Sequence, residues 1–195
     1  MTPRQKILKL VYPLLIWAKK KGTKETDWQN KQQTPPPVSF HSLSVTLNNG
    51  KTLSFAQLKG KKVLLVNTAS DCGYTAQYAD LQTLYSDAKE KIEIIAFPAN
   101  DFKEQEKGTD EEIASFCAIN YGVAFPIAKK TVVVKSRQQH PVYQWLSNPK
   151  LNGWNDKAPS WNFAKYLVNE DGVLTHYFEP AVSPLDAEVR SAMQA

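Results

Sequence analysis

Two cysteines, Cys72 and Cys117, are all the thiols in a chain of 195 residues. That is too few for a disulfide framework in a domain of this size, so the fold must rest on an apolar core. The two sulfurs are either packed thiols or one redox pair, and composition does not choose between them. Histidine is nearly as scarce. His41, His140 and His176 are scattered, and with two cysteines they make no four-ligand set at metal spacing, which argues against a zinc or iron centre. The apolar run from Leu10 to Ala18 is shorter than the ~20 residues that cross a bilayer. There are no internal repeats. Positive charge is also missing from where it would matter for nucleic acid. Of 24 Lys and Arg, eight fall within residues 1–31 beside only Glu25 and Asp27, leaving 16 basic against 17 acidic residues in the remainder. The globular part therefore has no basic face for a phosphate backbone, and nucleic acid is not an expected partner.

What is present reads as one ordinary domain, 42% hydrophobic and 22% charged. The start, MTPRQKILKLVYPLLIWAKKKG, has lysines around an apolar middle and no small-x-small cleavage site. It is expected to be an uncleaved short helix, interrupted near Pro13, that packs on the domain or lies on a membrane surface. Residues 22–37 read as a polar spacer ending in three prolines. The division is thus 1–37, a basic and apolar segment with its linker, and 38–195, the folded domain. Within that domain, residues 40–47 alternate as a strand and Asn48-Asn49-Gly50 signals a hairpin. Val63–Val66 and Ile92–Phe97 are continuous apolar runs that suit strands buried on both faces. Tyr78, Leu81, Leu84, Tyr85 and Ala88 recur at helical spacing. Thr109-Asp110-Glu111-Glu112 is a capping box opening a second helix. A short strand at Val132–Val134, a short helix at His140–Leu146, a hairpin around Glu170-Asp171-Gly172 and a final helix from Pro184 complete an α/β sandwich.

The stretch SDCGYT places Cys72 after a buried strand and before a helix. A Cys-x-x-Cys redox turn would carry a second sulfur where Thr75 stands. Unpaired N–H groups at a helix start favour a thiolate, which leads to an expected lowering of the Cys72 pKa. Position alone is equally compatible with a cysteine that merely packs.

Three motifs in order, VNTASDCGYTAQYADLQTLY, FPANDFKEQEKGTDEEIASFC and WNFAKYLVNEDG, closely resemble the glutathione peroxidase family from about the first hairpin to the last helix. The resemblance implies a thioredoxin-like three-layer sandwich with a mixed sheet and an N-terminal β-hairpin. It implies reduction of hydrogen peroxide and organic or lipid hydroperoxides at a peroxidatic Cys72, surrounded by Gln105, Trp161 and Asn162. Amide and indole N–H groups aimed at one point stabilise a thiolate and orient a peroxide. It also implies a resolving role for Cys117, which on its own reads as a core residue sharing a helix face with Ile113. The family's FPCNQF is here Phe97-Pro98-Ala99-Asn100-Asp101-Phe102. Ala99 leaves Cys117 as the one other thiol, and Asp101 puts a charge where the family has an amide.

The reductant expected from a Cys72–Cys117 disulfide is thioredoxin, with glutathione the alternative; no other cofactor is expected. A monomer is expected, because the family's tetramers carry an added loop that this chain lacks between Tyr121 and Trp161. A cytoplasmic location, with peripheral membrane contact through residues 4–21, completes the reading. Two other functions use the same sulfurs: a general thiol-disulfide oxidoreductase, weakened by Thr75, and a peroxide sensor relaying oxidation to a partner protein.

Overall fold

The computed structural model describes residues 1–20, 28–88 and 90–194. In chain order its elements are α1 (Pro3–Lys20), β1 (Ser44–Thr46), β2 (Thr52–Ser54), β3 (Lys62–Thr68), α2 (Gln77–Ala88), β4 (Ile92–Pro98), α3 (Asp110–Tyr121), α4 (Pro141–Leu146), α5 (Pro149–Asn152), β5 (Lys165–Val168), β6 (Leu174–Phe178) and α6 (Ala187–Gln194). The main sheet has the order β4-β3-β5-β6. β3 and β4 run parallel, while β5 is antiparallel to β3 and β6 to β5. β1 and β2 form a separate hairpin, turned by Asn48-Asn49-Gly50 with Gly50 at φ 81°.

β3 is buried at all seven positions because both faces of the sheet are covered. Strand alternation then divides its side chains between two cores. Val63 and Leu65 pack with Phe40, Phe55, Tyr143, Trp145 and Tyr166 on one side. Leu64 and Val66 pack with Tyr78, Leu81, Ile113, Cys117 and Val189 on the other. This is a thioredoxin-like α/β arrangement of helix, mixed sheet and helix layers. The capping box of α3 is formed, Thr109 and Glu112 each bonding the other's backbone N–H.

Several local expectations differ from what the chain adopts. Phe40–Ser42 is a 3-10 turn, so only Ser44–Thr46 is left for β1. Val132–Val134 is not a strand. The N–H groups of Val133 and Val134 donate to Asp101 Oδ2 at 2.7 and 3.4 Å, and Val132 O accepts from His140 N, so a ladder has no donors to use. That also gives Asp101 its role, as an acceptor that ties one loop to another. α1 is not interrupted at Pro13. Pro13 removes one N–H from the ladder, but the turns before it are held from outside by Gln5 and Tyr12, which bond the domain.

The expected spacer is partly laid on the domain. Its residues 22–27 lie outside the described part of the chain, but Trp28–Asn30 runs along the free edge of β6. Asn30 N donates to Thr175 O (2.8 Å) and Tyr177 N to Trp28 O (3.0 Å). The Trp28 indole donates to Asn155 Oδ1 (2.6 Å), and Lys157 Nζ sits 4.1 Å above its ring. Gly153 closes α5 at φ 97°, where an added Cβ would lie 2.8 Å from Pro35 O. Gly153→Ala is therefore expected to cost about 2 kcal/mol and to loosen residues 28–38. Urea unfolding, with hydrogen exchange at Val38 N–H, checks both; an unchanged midpoint would contradict the close approach.

Candidate active site

Cys72 lies in the turn between β3 and α2, 1% exposed. The turn is built by Thr75, which stands where a second cysteine of a redox turn would be. Its hydroxyl accepts the Cys72 N–H (3.0 Å) and lies 2.8 Å from both Ala69 O and Cys72 O, its proton shared between them. Loss of that local sulfur thus gains a clasp that fixes the remaining one. α2 begins only at Gln77, so Cys72 is not at the first helical N–H groups; the N–H that reaches its sulfur is that of Tyr74, at 3.4 Å.

Gln105, Trp161 and Asn162 arrive from two other loops; Trp161 and Asn162 reach this sulfur, and Gln105 joins them through Asn162 and through its carbonyl, which accepts the Asp71 N–H. Asn162 Nδ2 donates to Gln105 Oε1 (3.0 Å), locking the two amides head to tail. Trp161 and Asn162 both present donors to Cys72. Trp161 packs on Phe102, ring centroids 5.4 Å apart, with Lys103 Nζ 5.7 Å from its ring centroid. The backbone on either side is strained. Lys103 and Glu104, just before Gln105, and Phe163, just after Asn162, have φ of 51°, 52° and 70°. Such conformations persist in non-glycine residues only where the surroundings over-determine them.

Those surroundings come from residues that the motif reading did not single out. Asn67, at the end of β3 and fully buried, donates through Nδ2 to Trp161 O (3.0 Å) and accepts from Ala164 N at Oδ1 (3.1 Å), while its own carbonyl accepts from Phe163 N. Lys165, also fully buried, donates from Nζ to Phe163 O (2.7 Å). Glu106, next to Gln105, accepts the Ser70 hydroxyl (2.9 Å), and Asn100 Oδ1 accepts the Glu106 N–H (2.9 Å). Burial pushes the Glu106 carboxyl up to about 7. The available sequence signal was polarity out of place: Asn67 ends an apolar strand and Lys165 begins one.

The expected lowering of the Cys72 pKa is not what this geometry gives. Burial pushes the thiol up, and the donors from Tyr74, Trp161 and Asn162 only partly offset it; the neighbouring Asp71 carboxylate adds to the rise. Cys117 lies fully buried in α3, in the same core as Cys72, and burial raises it to about 12. Tyr78 OH is buried beside it without a well-formed hydrogen bond. Both cysteines are free thiols. Ala99 falls in the opposite core, so a sulfur there would face away from Cys72.

The family model for glutathione peroxidase matches residues 40–147. The chain is 42% identical over 159 residues to glutathione peroxidase-like peroxiredoxin 2 of Saccharomyces cerevisiae, covering 80% of this chain and 98% of that relative. It is 39% identical to a glutathione peroxidase of Lactococcus lactis over 77% of this chain and 96% of that one. The crystal structure of T. cruzi GPX1 aligns with a TM-score of 0.58 at 30% identity, covering 80% of this chain and 92% of that structure. With the matched region spanning more than half its length and the thioredoxin-like scaffold in place, the chain belongs to the glutathione peroxidase family and is a peroxidase.

Proposed function

We propose that Cys72 is the peroxidatic residue of a thiol peroxidase acting on hydrogen peroxide and on organic and lipid hydroperoxides. The observation that carries this reading is that the Tyr74 N–H, Trp161 and Asn162 bring donors to one buried sulfur, with Gln105 holding the Asn162 amide. The thiolate attacks the distal peroxide oxygen, an S–O bond forms as the O–O bond breaks, and the proton released by the thiol ends on the departing oxygen as water or alcohol. Donors around the sulfur stabilise both the thiolate and the oxygen that departs. The Cys117 thiol then displaces water from the Cys72 sulfenic acid, forming a disulfide that a thiol reductant returns to two thiols: the dithiol of thioredoxin ahead of two molecules of glutathione, which leave as thioredoxin disulfide or glutathione disulfide. No cofactor beyond that reductant is required.

In the test, wild-type protein consumes one equivalent of hydrogen peroxide and loses both free thiols to a Cys72–Cys117 cross-link seen by mass spectrometry. Cys72→Ser consumes none. Peroxide consumption by Cys72→Ser at the wild-type rate would end the assignment.

Two free thiols suit a reducing, cytoplasmic compartment, and the working unit is taken to be the monomer. Peripheral membrane contact through residues 4–21 is part of the same proposal. Ile7 and Leu10 are 61% and 80% exposed on α1, beside Lys6, a combination that favours an anionic lipid surface. Removal of residues 1–21 is expected to abolish co-sedimentation with anionic vesicles; equal sedimentation would rule the contact out.

A further inference from the structure

α1 meets the domain at the two residues that precede Cys72. Thr2 and Gln5 cap the helix reciprocally: Thr2 N donates to Gln5 Oε1 (2.7 Å) and Gln5 N to Thr2 Oγ1 (3.2 Å), with Pro3 at the first helical position. The other end of the same amide, Gln5 Nε2, donates to Ser70 O (3.0 Å). Arg4 Nη1 pairs with Asp71 Oδ2. Two turns later Tyr12 OH donates to Asp80 Oδ2 (3.2 Å) on α2. α1 thus spans the loop that carries Cys72 and the helix that follows it.

The Arg4 contact has electrostatic weight because of what Asp71 is. Its Oδ1 is buried with no hydrogen-bond partner, its N–H is spent on Gln105 O (3.1 Å), and it is joined by a peptide bond to the cysteine that must become an anion. A carboxylate there opposes a thiolate, and the guanidinium supplies the compensating charge. Among the described residues, the other charged or titratable groups about the loop include Glu106 on Ser70, Lys103 above the Trp161 ring, Glu104, Lys107 and Glu112 lining the same cleft as Arg4 and Asp71, Lys165 behind Phe163, and Tyr78 and Cys117 in the core.

We propose that α1 is part of the active site in cis, and that Arg4 is a positioning residue that neutralises Asp71 so that Cys72 can ionise. This rests on the reading of Cys72 as the reactive thiol and goes beyond it, since it gives the N-terminal helix a share in that reactivity. Exposed ion pairs contribute little to stability, so the effect belongs in reactivity.

The test is the pH dependence of Cys72 alkylation by iodoacetamide at low ionic strength, in the full chain carrying Cys117→Ser. Alkylation reads the thiol without peroxide, so a wrong assignment of peroxidase chemistry would not disturb it. Arg4→Gln is expected to move the midpoint up by about half a pH unit and Asp71→Asn to move it down. The double variant should match Asp71→Asn, because Arg4 then has no charge to neutralise. An unmoved midpoint in Arg4→Gln overturns the proposal. So does an equal upward shift from Arg4→Gln in the Asp71→Asn background, which would mean that Arg4 acts on Cys72 by another route.

Discussion

Cys117→Ser is expected to lower thioredoxin-supported, NADPH-coupled peroxide turnover by at least ~100-fold while the first equivalent of peroxide is still consumed at the wild-type rate. The expectation follows from how the two sulfurs are held. Cys72 is ringed by donors on a loop, whereas Cys117 is an inert thiol, raised to about 12 by burial within α3. Oxidation of Cys72 therefore needs nothing from Cys117, whereas recycling, on the proposed reading, goes through it. A thiol tethered in the same chain attacks at an effective concentration that dissolved thiols do not approach, ~10⁵ M or more when well oriented. To attack, Cys117 must leave the core, and the end of α3 offers the opening. The N-terminal turn is locked by the Thr109–Glu112 box, while the C-terminal turn is closed by the N–H groups of Gly122 and Val123 on Ala118 O and Cys117 O. Local unwinding of one turn at a helix end is a low-energy motion compared with global unfolding. If glutathione supports wild type and variant equally well, Cys117 is core packing and Cys72 is recycled alone.

The elements that were legible in the sequence are those whose signal is local. β3 and β4 announce themselves as unbroken apolar runs because both sheet faces are covered, and α3 by a capping box that forms as written. The Val132–Val134 segment has the composition of a strand, yet a carboxylate 32 residues earlier takes the Val133 N–H. Nothing near that valine in sequence signals this. The same holds for the site. Cys72, Gln105, Trp161 and Asn162 were named from motifs, but what aims them is long-range: Asn67 reaches Trp161 O across 94 positions, and Arg4 reaches Asp71 across 67. The direction of the Cys72 pKa was misread for a related reason. Helix-terminus reasoning weighs dipoles and ignores burial, and here burial is the larger effect.

Lys165→Met is expected to be more stable than the wild type at pH 6 and yet a slower peroxidase. Burial brings the Lys165 amine from its ordinary 10.5 down to about 7. A displacement of that size corresponds to roughly 4–5 kcal/mol of penalty on the charged form. The sign is fixed by linkage. Below pH 7 both folded and unfolded chains carry the proton, and the penalty is present in full. Between pH 7 and 10.5 the unfolded chain holds more protons than the folded one, so the penalty fades as pH rises. Methionine removes it but orphans the Phe163 carbonyl, at a cost of about 1–2 kcal/mol. The net gain should be about 2–4 kcal/mol at pH 6, vanishing by pH 10, as seen by paired urea titrations of variant and wild type. Turnover should fall about tenfold, because Phe163 at φ 70° is the hinge that sets Trp161 and Asn162 on Cys72, and the ammonium is one of its clamps. A variant less stable than the wild type at pH 6 would make Lys165 a simple structural prop. A more stable variant with unchanged turnover would show that Asn67 alone holds the turn. Stability gained while activity is lost is the result that would mark a buried charge kept for the geometry of the site.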